Sequence, residues 1–281
     1  FTEAAVGAGV STVFFIAVLF NTTRRIQFNP LDLSSKILSS FLCITVGYLL
    51  FLGISDLPEW GDPKSPVNSN VAGYYVENAY KQTKVPNLVT AVLADYRAFD
   101  TMFETCVVFI AVLGIFMLLK KDEDETTDSE EKLTKEDNLI IRVASRFMVP
   151  FIQLFGLYVV AHGHYSPGGG FQGGVILGAS LILLAMAYDM DYVQRLLSMK
   201  NMIVLAAVGV LIFAGWGLIP VILGHNFLDY SAWAIFPGID EKMARSHSML
   251  AVEIGVALTV MCGMYGIYMS LVSDGGFKKG L

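Results

Sequence analysis

Apolar residues gather along the chain in seven long windows: Ala4–Phe20, Ile37–Ile54, Thr101–Leu119, Val143–Ala161, Phe171–Tyr188, Met202–Leu223 and Ser246–Val272. Each reaches or approaches the length of about 20 residues that a helix needs to cross the hydrocarbon of a bilayer. The pattern predicts an all-α integral membrane protein with about seven transmembrane helices. No initiator methionine and no basic region precede the first window. It is therefore expected to be an internal span of a larger membrane protein, not a signal peptide. Between the second and third windows, Pro58, Pro63 and Pro66 precede YYVENAYKQ, which predicts a short amphipathic interfacial helix with Tyr74, Tyr75 and Tyr80 at headgroup level.

Polar residues concentrate between the third and fourth windows. Residues 120–137 hold nine acids and four lysines with no apolar period, the pattern of a hydrated linker. The expected organisation is a first helical unit over 1–36, a two-helix unit over 37–119, a cytoplasmic linker over 120–138 and a four-helix domain over 139–281. If Arg24, Arg25 and Lys36 are cytoplasmic, alternation puts 13 of the 19 basic residues on that side. The charge bias then predicts an outside N-terminus and an inside C-terminus.

Composition narrows the function. The chain of 281 residues is 54% hydrophobic and 16% charged, against about 45–50% and 25% for a soluble domain. Nineteen Lys+Arg against 25 Asp+Glu leave no basic surface for nucleic acid. Cys43, Cys106 and Cys262 each lie in an apolar run, and no C-x-x-C pair exists. An iron–sulfur, zinc or nickel–iron centre therefore has no ligand set, and no metal or cofactor is expected. A nucleophile–base arrangement and a nucleotide loop are also missing, so enzymatic chemistry is not expected of this chain.

Ionisable groups inside spans are costly and mark bundle interiors or watery paths. Glu104 lies near the start of the third window, four residues after Asp100 and seven after Arg97. Helical spacing puts the three on one face, where they suit a proton relay or hydrated cation path; an Arg97–Asp100 ion pair that eases insertion is the alternative. Glu253 stands among apolar neighbours with no base three or four positions away. A partner must come from another helix or subunit, and the carboxyl either carries a proton or binds a cation, the alternative being a structural hydrogen bond donated by protonated Glu253. Glu3 sits among the small residues of FTEAAVGAGVST. In AHGHYSPGGGFQGGVILGAS, Pro167 and Gly168–Gly170 interrupt the helix, and Gly170, Gly174 and Gly178 repeat at the G-x-x-x-G interval that brings helices together. His162 and His164 diverge by roughly 200° on a helix, which disfavours shared metal binding but leaves both candidates for a cavity mouth.

GHYSPGGGFQGGVILGAS, with VEIGVALTV around Glu253, resembles the MnhB domain of Mrp-type sodium/proton antiporters over residues 143–272. YYVENAYKQTKVPNLVTAVLADYRAFDTMFET resembles the small domain that follows the large antiporter subunit in Mrp complexes. The same domain occurs as a separate, E-type subunit in group 4 membrane-bound hydrogenases. FTEAAVGAGVST is similar to the last helix of the preceding domain.

The resemblance implies an accessory membrane subunit of an ion-translocating complex related to respiratory complex I, in a prokaryotic cytoplasmic membrane. Its implied partners are other Mrp-type and antiporter-like subunits, with soluble nickel–iron and iron–sulfur subunits if the parent complex is a hydrogenase. Sodium ions and protons are the implied cargo, and Glu104, Glu253 and Glu3 match positions associated with an ion path. Two departures lean toward the hydrogenase branch: Glu3 with Gly7, where many antiporters have glutamine and glutamate, and FDTMFET in place of the commoner FDTLGE. The competing reading is a structural scaffold that only positions neighbouring subunits.

Overall fold

The computed structural model describes residues 7, 11–21, 32–119, 139–188 and 190–272. Regular structure among them is entirely helical. Helices α1 (Ser11–Asn21) and α2 (Leu33–Ser55) come first, and a π-helical turn (Asn68–Ala72) leads into α3 (Gly73–Thr83). The short α4 (Leu88–Ala91) runs into a second π-helical turn (Val92–Tyr96), followed by α5 (Ala98–Leu119). Then come α6 (Leu139–His162), α7 (Gly170–Ala187), α8 (Met190–Leu196) and α9 (Met199–Ile222), a 3-10 turn (Tyr230–Ile235) and α10 (Glu241–Val272).

Six of these helices, α2, α5, α6, α7, α9 and α10, are long and apolar enough to cross a membrane. They correspond to six of the seven apolar windows. Only part of the first window is described, as the 11-residue α1. Glu3, the acidic stretch 120–138 and the C-terminal lysines lie outside the described residues. The expected interfacial helix is α3, on which Tyr74 and Tyr80 are exposed.

Two compact units are present, one formed by the described residues of 23–77 and the other by those of 1–22 and 78–281. In the first, α2 has no buried residue. A helix that is apolar all round and bare in water must be covered by lipid or by other helices.

In the second unit α10 is the central element. Of its apolar window 61% is buried, against 11% for α5. Glycine makes this possible. A Cβ at Gly174 would stand 2.7 Å from the Ala257 carbonyl oxygen, and one at Gly178 3.0 Å from Met264 Cβ. On the other side of α7, a Cβ at Gly173 would stand 2.3 Å from Val160 Cγ2 of α6. Helix α9 meets α10 in the same manner: Gly209 leaves room for Thr259, whose hydroxyl lies 3.0 Å from the Ala206 carbonyl oxygen and donates across the seam. Backbones in van der Waals contact replace the hydrophobic drive that lipid does not supply. Phe213, Tyr230, Met249, Val252 and Val256 belong to one apolar cluster, and Met202, Tyr265, Tyr268 and Met269 to a second.

A carboxylate-lined cavity as the candidate functional site

Helix α6 ends at His162 because the following residues, GHYSPGGG, cannot continue it: Pro167 has no amide proton to donate, and Gly169 takes a φ of +140°, open only to glycine. The chain reverses over 163–169 and starts α7 at Gly170. Most exposed carbonyls of this turn would be orphans, but a segment some eighty residues earlier supplies donors. The Asn87 backbone N–H donates to His164 O (3.0 Å), and its Nδ2 donates to both Gly163 O and Ser166 O (2.9 Å each). The Thr90 hydroxyl donates to Gly163 O (2.8 Å). His164 joins the turn to α10, with Nε2 2.9 Å from the Ser246 carbonyl oxygen. A carbonyl only accepts, so Nε2 carries the proton. Burial holds the His164 imidazole below its ordinary value, which favours the neutral ring.

Beneath the turn lies a cavity of about 130 Å³, lined by Glu253, Glu104, Thr90, Thr101, Gln172 and the backbone of Gly168–Gly170, with an apolar side that includes Leu93, Ala94 and Val256. A water needs about 10–15 Å³ on this measure, so the cavity has room for several. Glu253 is 7% exposed, and among the described residues no donor reaches its Oε2. Glu104 stands on an exposed part of α5. The hydroxyl proton of Thr90 goes to Gly163 O and that of Thr101 to Leu93 O (2.8 Å). Toward the cavity both hydroxyls can therefore only accept. Two carboxylates and two acceptor hydroxyls around a wettable space suit a cation, or a proton carried on water.

Local sequence puts each group there. Asn87 follows Pro86 and caps α4, accepting from the Val89 N–H at 3.1 Å. Thr90 follows on α4, and Leu93 and Ala94 lie on the π-helical turn. Glu253 is fixed by the glycines around it. A Cβ at Gly163 would stand 2.9 Å from Glu253 Oε2, and one at Gly169 3.3 Å from Oε1.

Among the residues expected from sequence, Glu104 and Glu253 share this cavity. Asp100 and Arg97 do not line it. Arg97 has φ −123° and precedes α5, so helical spacing does not apply to it. It pairs with Asp100 in an exposed contact, the alternative that eases insertion. His162 stacks on Tyr158 (centroids 4.8 Å apart) and His164 is buried against α10, so neither lines the cavity. Gly170 lines the cavity and, with Gly174 and Gly178, carries the α7–α10 seam.

Sequence reading passed over Asn87, Thr90, Thr101 and Gln172. Asn after Pro and before an apolar run was a cap signal; nothing local announced that its amide would reach residues 163 and 166. It also passed over Asp95 and Arg245, which meet 150 residues apart with Nε and Nη2 each 2.7 Å from Oδ2, while the guanidinium lies over the Tyr96 ring.

Two family descriptions match the chain: "Domain related to MnhB subunit of Na+/H+ antiporter" over residues 140–266, and MbhE, a subunit of MBH, over 60–133. A Na(+)/H(+) antiporter subunit of Bacillus subtilis is 37% identical over 146 residues, which covers 52% of this chain and 97% of that protein. The putative antiporter subunit mnhB2 of Staphylococcus haemolyticus is 33% identical over 140 residues, 49% of this chain and 96% of that protein. In the solved Mrp complex from Dietzia sp. DQ12-45-1b, one chain superposes with a TM-score of 0.68 at 24% identity, over 97% of this chain and 30% of that one, a likeness of fold. A chain of an archaeal membrane-bound sulfane sulfur reductase superposes with a TM-score of 0.52 at 27% identity, over 83% of this chain and 98% of that one. The GHYSPGGG turn, the α7 glycines and Glu253 all fall inside the first matched segment. Through that segment, and through the nearly complete coverage of two antiporter subunits, the chain belongs to the family of MnhB-related Na+/H+ antiporter subunits.

Proposed function

We propose that this chain is an accessory membrane subunit of a cation/proton-translocating module, and that Glu253 and Glu104 form part of the ion path. The observation that carries this reading is the cavity they share, where a buried carboxylate oxygen has no donor and the flanking threonine hydroxyls can only accept. A cation or a water-borne proton supplies what Oε2 lacks. Glu3, which lies outside the described residues, is assigned to the same path on the resemblance alone, and the exposed Arg97–Asp100 pair is read as easing insertion. Oxidoreductase chemistry in the parent complex is assigned to partner chains, with nickel–iron and iron–sulfur proteins in a hydrogenase-type assembly. Residues 37–119 and 139–281 are read as two family units joined by the acidic stretch 120–138, most of which also falls inside the MbhE match, in a prokaryotic cytoplasmic membrane, with that stretch inside.

Glu253→Gln and Glu104→Gln in the assembled complex test the path. Sodium-dependent pH change in vesicles is expected to fall on the order of 100-fold for Glu253→Gln, the scale of losing a positioned proton-transfer group, and less for the more exposed Glu104→Gln. The scaffold reading is favoured by the glycine seams and the unburied α2; it requires transport to persist in any variant that assembles. Full transport by an intact Glu253→Gln complex rejects the path. Orientation has its own check: a cysteine replacing Asp128 should react with a membrane-impermeant maleimide only from the cytoplasmic face, and reaction only from outside would reverse the assignment.

A further inference from the structure

We infer that Asn87 is a positioning residue for Glu253: it holds the 163–169 turn in the one arrangement that presses glycine backbone against both oxygens of the Glu253 carboxyl. The inference rests on Glu253 belonging to the ion path, but its geometry stands apart from that reading.

Asn87 uses every hydrogen-bonding group of its side chain. Nδ2 gives its two protons to Gly163 O and Ser166 O, while Oδ1 accepts from Val89 N–H and anchors α4. Its own N–H takes a third turn carbonyl, His164 O. Gly163 lies at the end of this lattice and in contact with Glu253. A Cβ on it would sit 2.7 Å from Gly169 Cα and 2.9 Å from Glu253 Oε2, so these three groups leave no slack. The position of the Gly163 carbonyl also matters electrostatically. Turned toward Asn87 and Thr90, it is satisfied twice. Released, it is a free dipole beside an oxygen that already lacks a donor. Charged groups do not mask the effect, since among the described residues Glu104 is the one other ionisable residue on the cavity wall, and His164 is occupied with Ser246.

Reactivity of Glu253 toward dicyclohexylcarbodiimide, read by mass spectrometry in the assembled complex, tests the inference without relying on transport. This reagent modifies protonated carboxyls in apolar surroundings. Asn87→Ala and Asn87→Asp are expected to speed modification of Glu253 about tenfold, as loss of the buried donors opens the turn. The aspartate variant should be no milder than alanine despite its matching shape, because a carboxylate cannot donate to two carbonyls. Asn87→Ser keeps a cap oxygen and one donor and should fall between wild type and alanine, which preserves the test if the harsher variants do not assemble. Asp229→Asn is the control: it removes the carboxylate that accepts from Ser231 N and Oγ and does not line the cavity. Unchanged Glu253 reactivity in the Asn87 variants, an aspartate variant that behaves as wild type, or an equal rise in Asp229→Asn would each overturn the inference. Persistence of transport in Glu253→Gln would instead remove Glu253 from the ion path and leave the positioning result standing.

Discussion

Gly170→Ala is expected to destabilise the 78–272 bundle by about 3 kcal/mol or more, at the upper end of what overpacking costs. The added methyl would lie 2.1 Å from the Glu253 carbonyl oxygen, 2.8 Å from its carbonyl carbon and 3.0 Å from its Cα. These are backbone atoms of the central helix, so no rotamer change relieves the clash. Helix α7 must move off α10 along a seam that Gly174 and Gly178 hold nearly as tightly. The displaced residue is Glu253 itself, so transport should fall along with stability. Gly114→Ala and Gly215→Ala provide the comparison: neither position has an atom within 4 Å of the new methyl, and alanine is the better helix former. Thermal unfolding of the purified complex should separate Gly170→Ala from both. A common melting temperature for all three would mean that the α7–α10 seam is not the close contact described.

The second large effect concerns the Asp95–Arg245 pair. Asp95 is 5% exposed at its side chain and Arg245 24%. Removing one partner from such a pair strands a buried charge, a loss of about 3–5 kcal/mol, and this is the deficit expected for Arg245→Met. Asp95→Asn combined with Arg245→Met should recover most of it, since the double variant buries no lone charge. A pH dependence follows. Burial pushes the Asp95 carboxyl above its ordinary value of 3.8 even with Arg245 beside it, and without the guanidinium it must rise further. A carboxyl raised on folding favours the folded state at pH below its unfolded value, and that contribution is lost as pH climbs through the folded value. The Arg245→Met deficit should therefore be smallest in acid and grow through neutral pH, and the double variant should show no such trend. Denaturation midpoints across pH read both. Equal stability of Arg245→Met and wild type at neutral pH would show that the pair contributes nothing.

How legible these features were in the chain depends on the range of the interaction. Windows of apolar residues predicted six of the spanning helices to within a few residues, because lipid demands internally satisfied backbone over a set length. The break at Pro167–Gly170 and the Gly170/Gly174/Gly178 interval were equally plain, since both are local backbone properties. Arg97 shows the limit. Its spacing from Asp100 and Glu104 suggested one helical face, but a π-helical turn over Val92–Tyr96 ends just before it and leaves it outside α5. His164 looked like a mouth residue and is instead a buried strut to Ser246.

By itself the sequence determined the class of the molecule, the position and order of six of the seven long helices it predicted, the α7 seam where glycine lets helices touch, and that Glu253 stands in apolar surroundings. Those follow from composition and period, and each can be read within a few turns of chain. Tertiary structure alone decided that Glu104 and Glu253 face one cavity, that Thr90 and Thr101 spend their protons elsewhere, that Asn87 clasps the turn above Glu253, and that Asp95 finds Arg245. These contacts join residues as much as 150 positions apart. Such pairings depend on where whole helices dock, and no local propensity encodes docking.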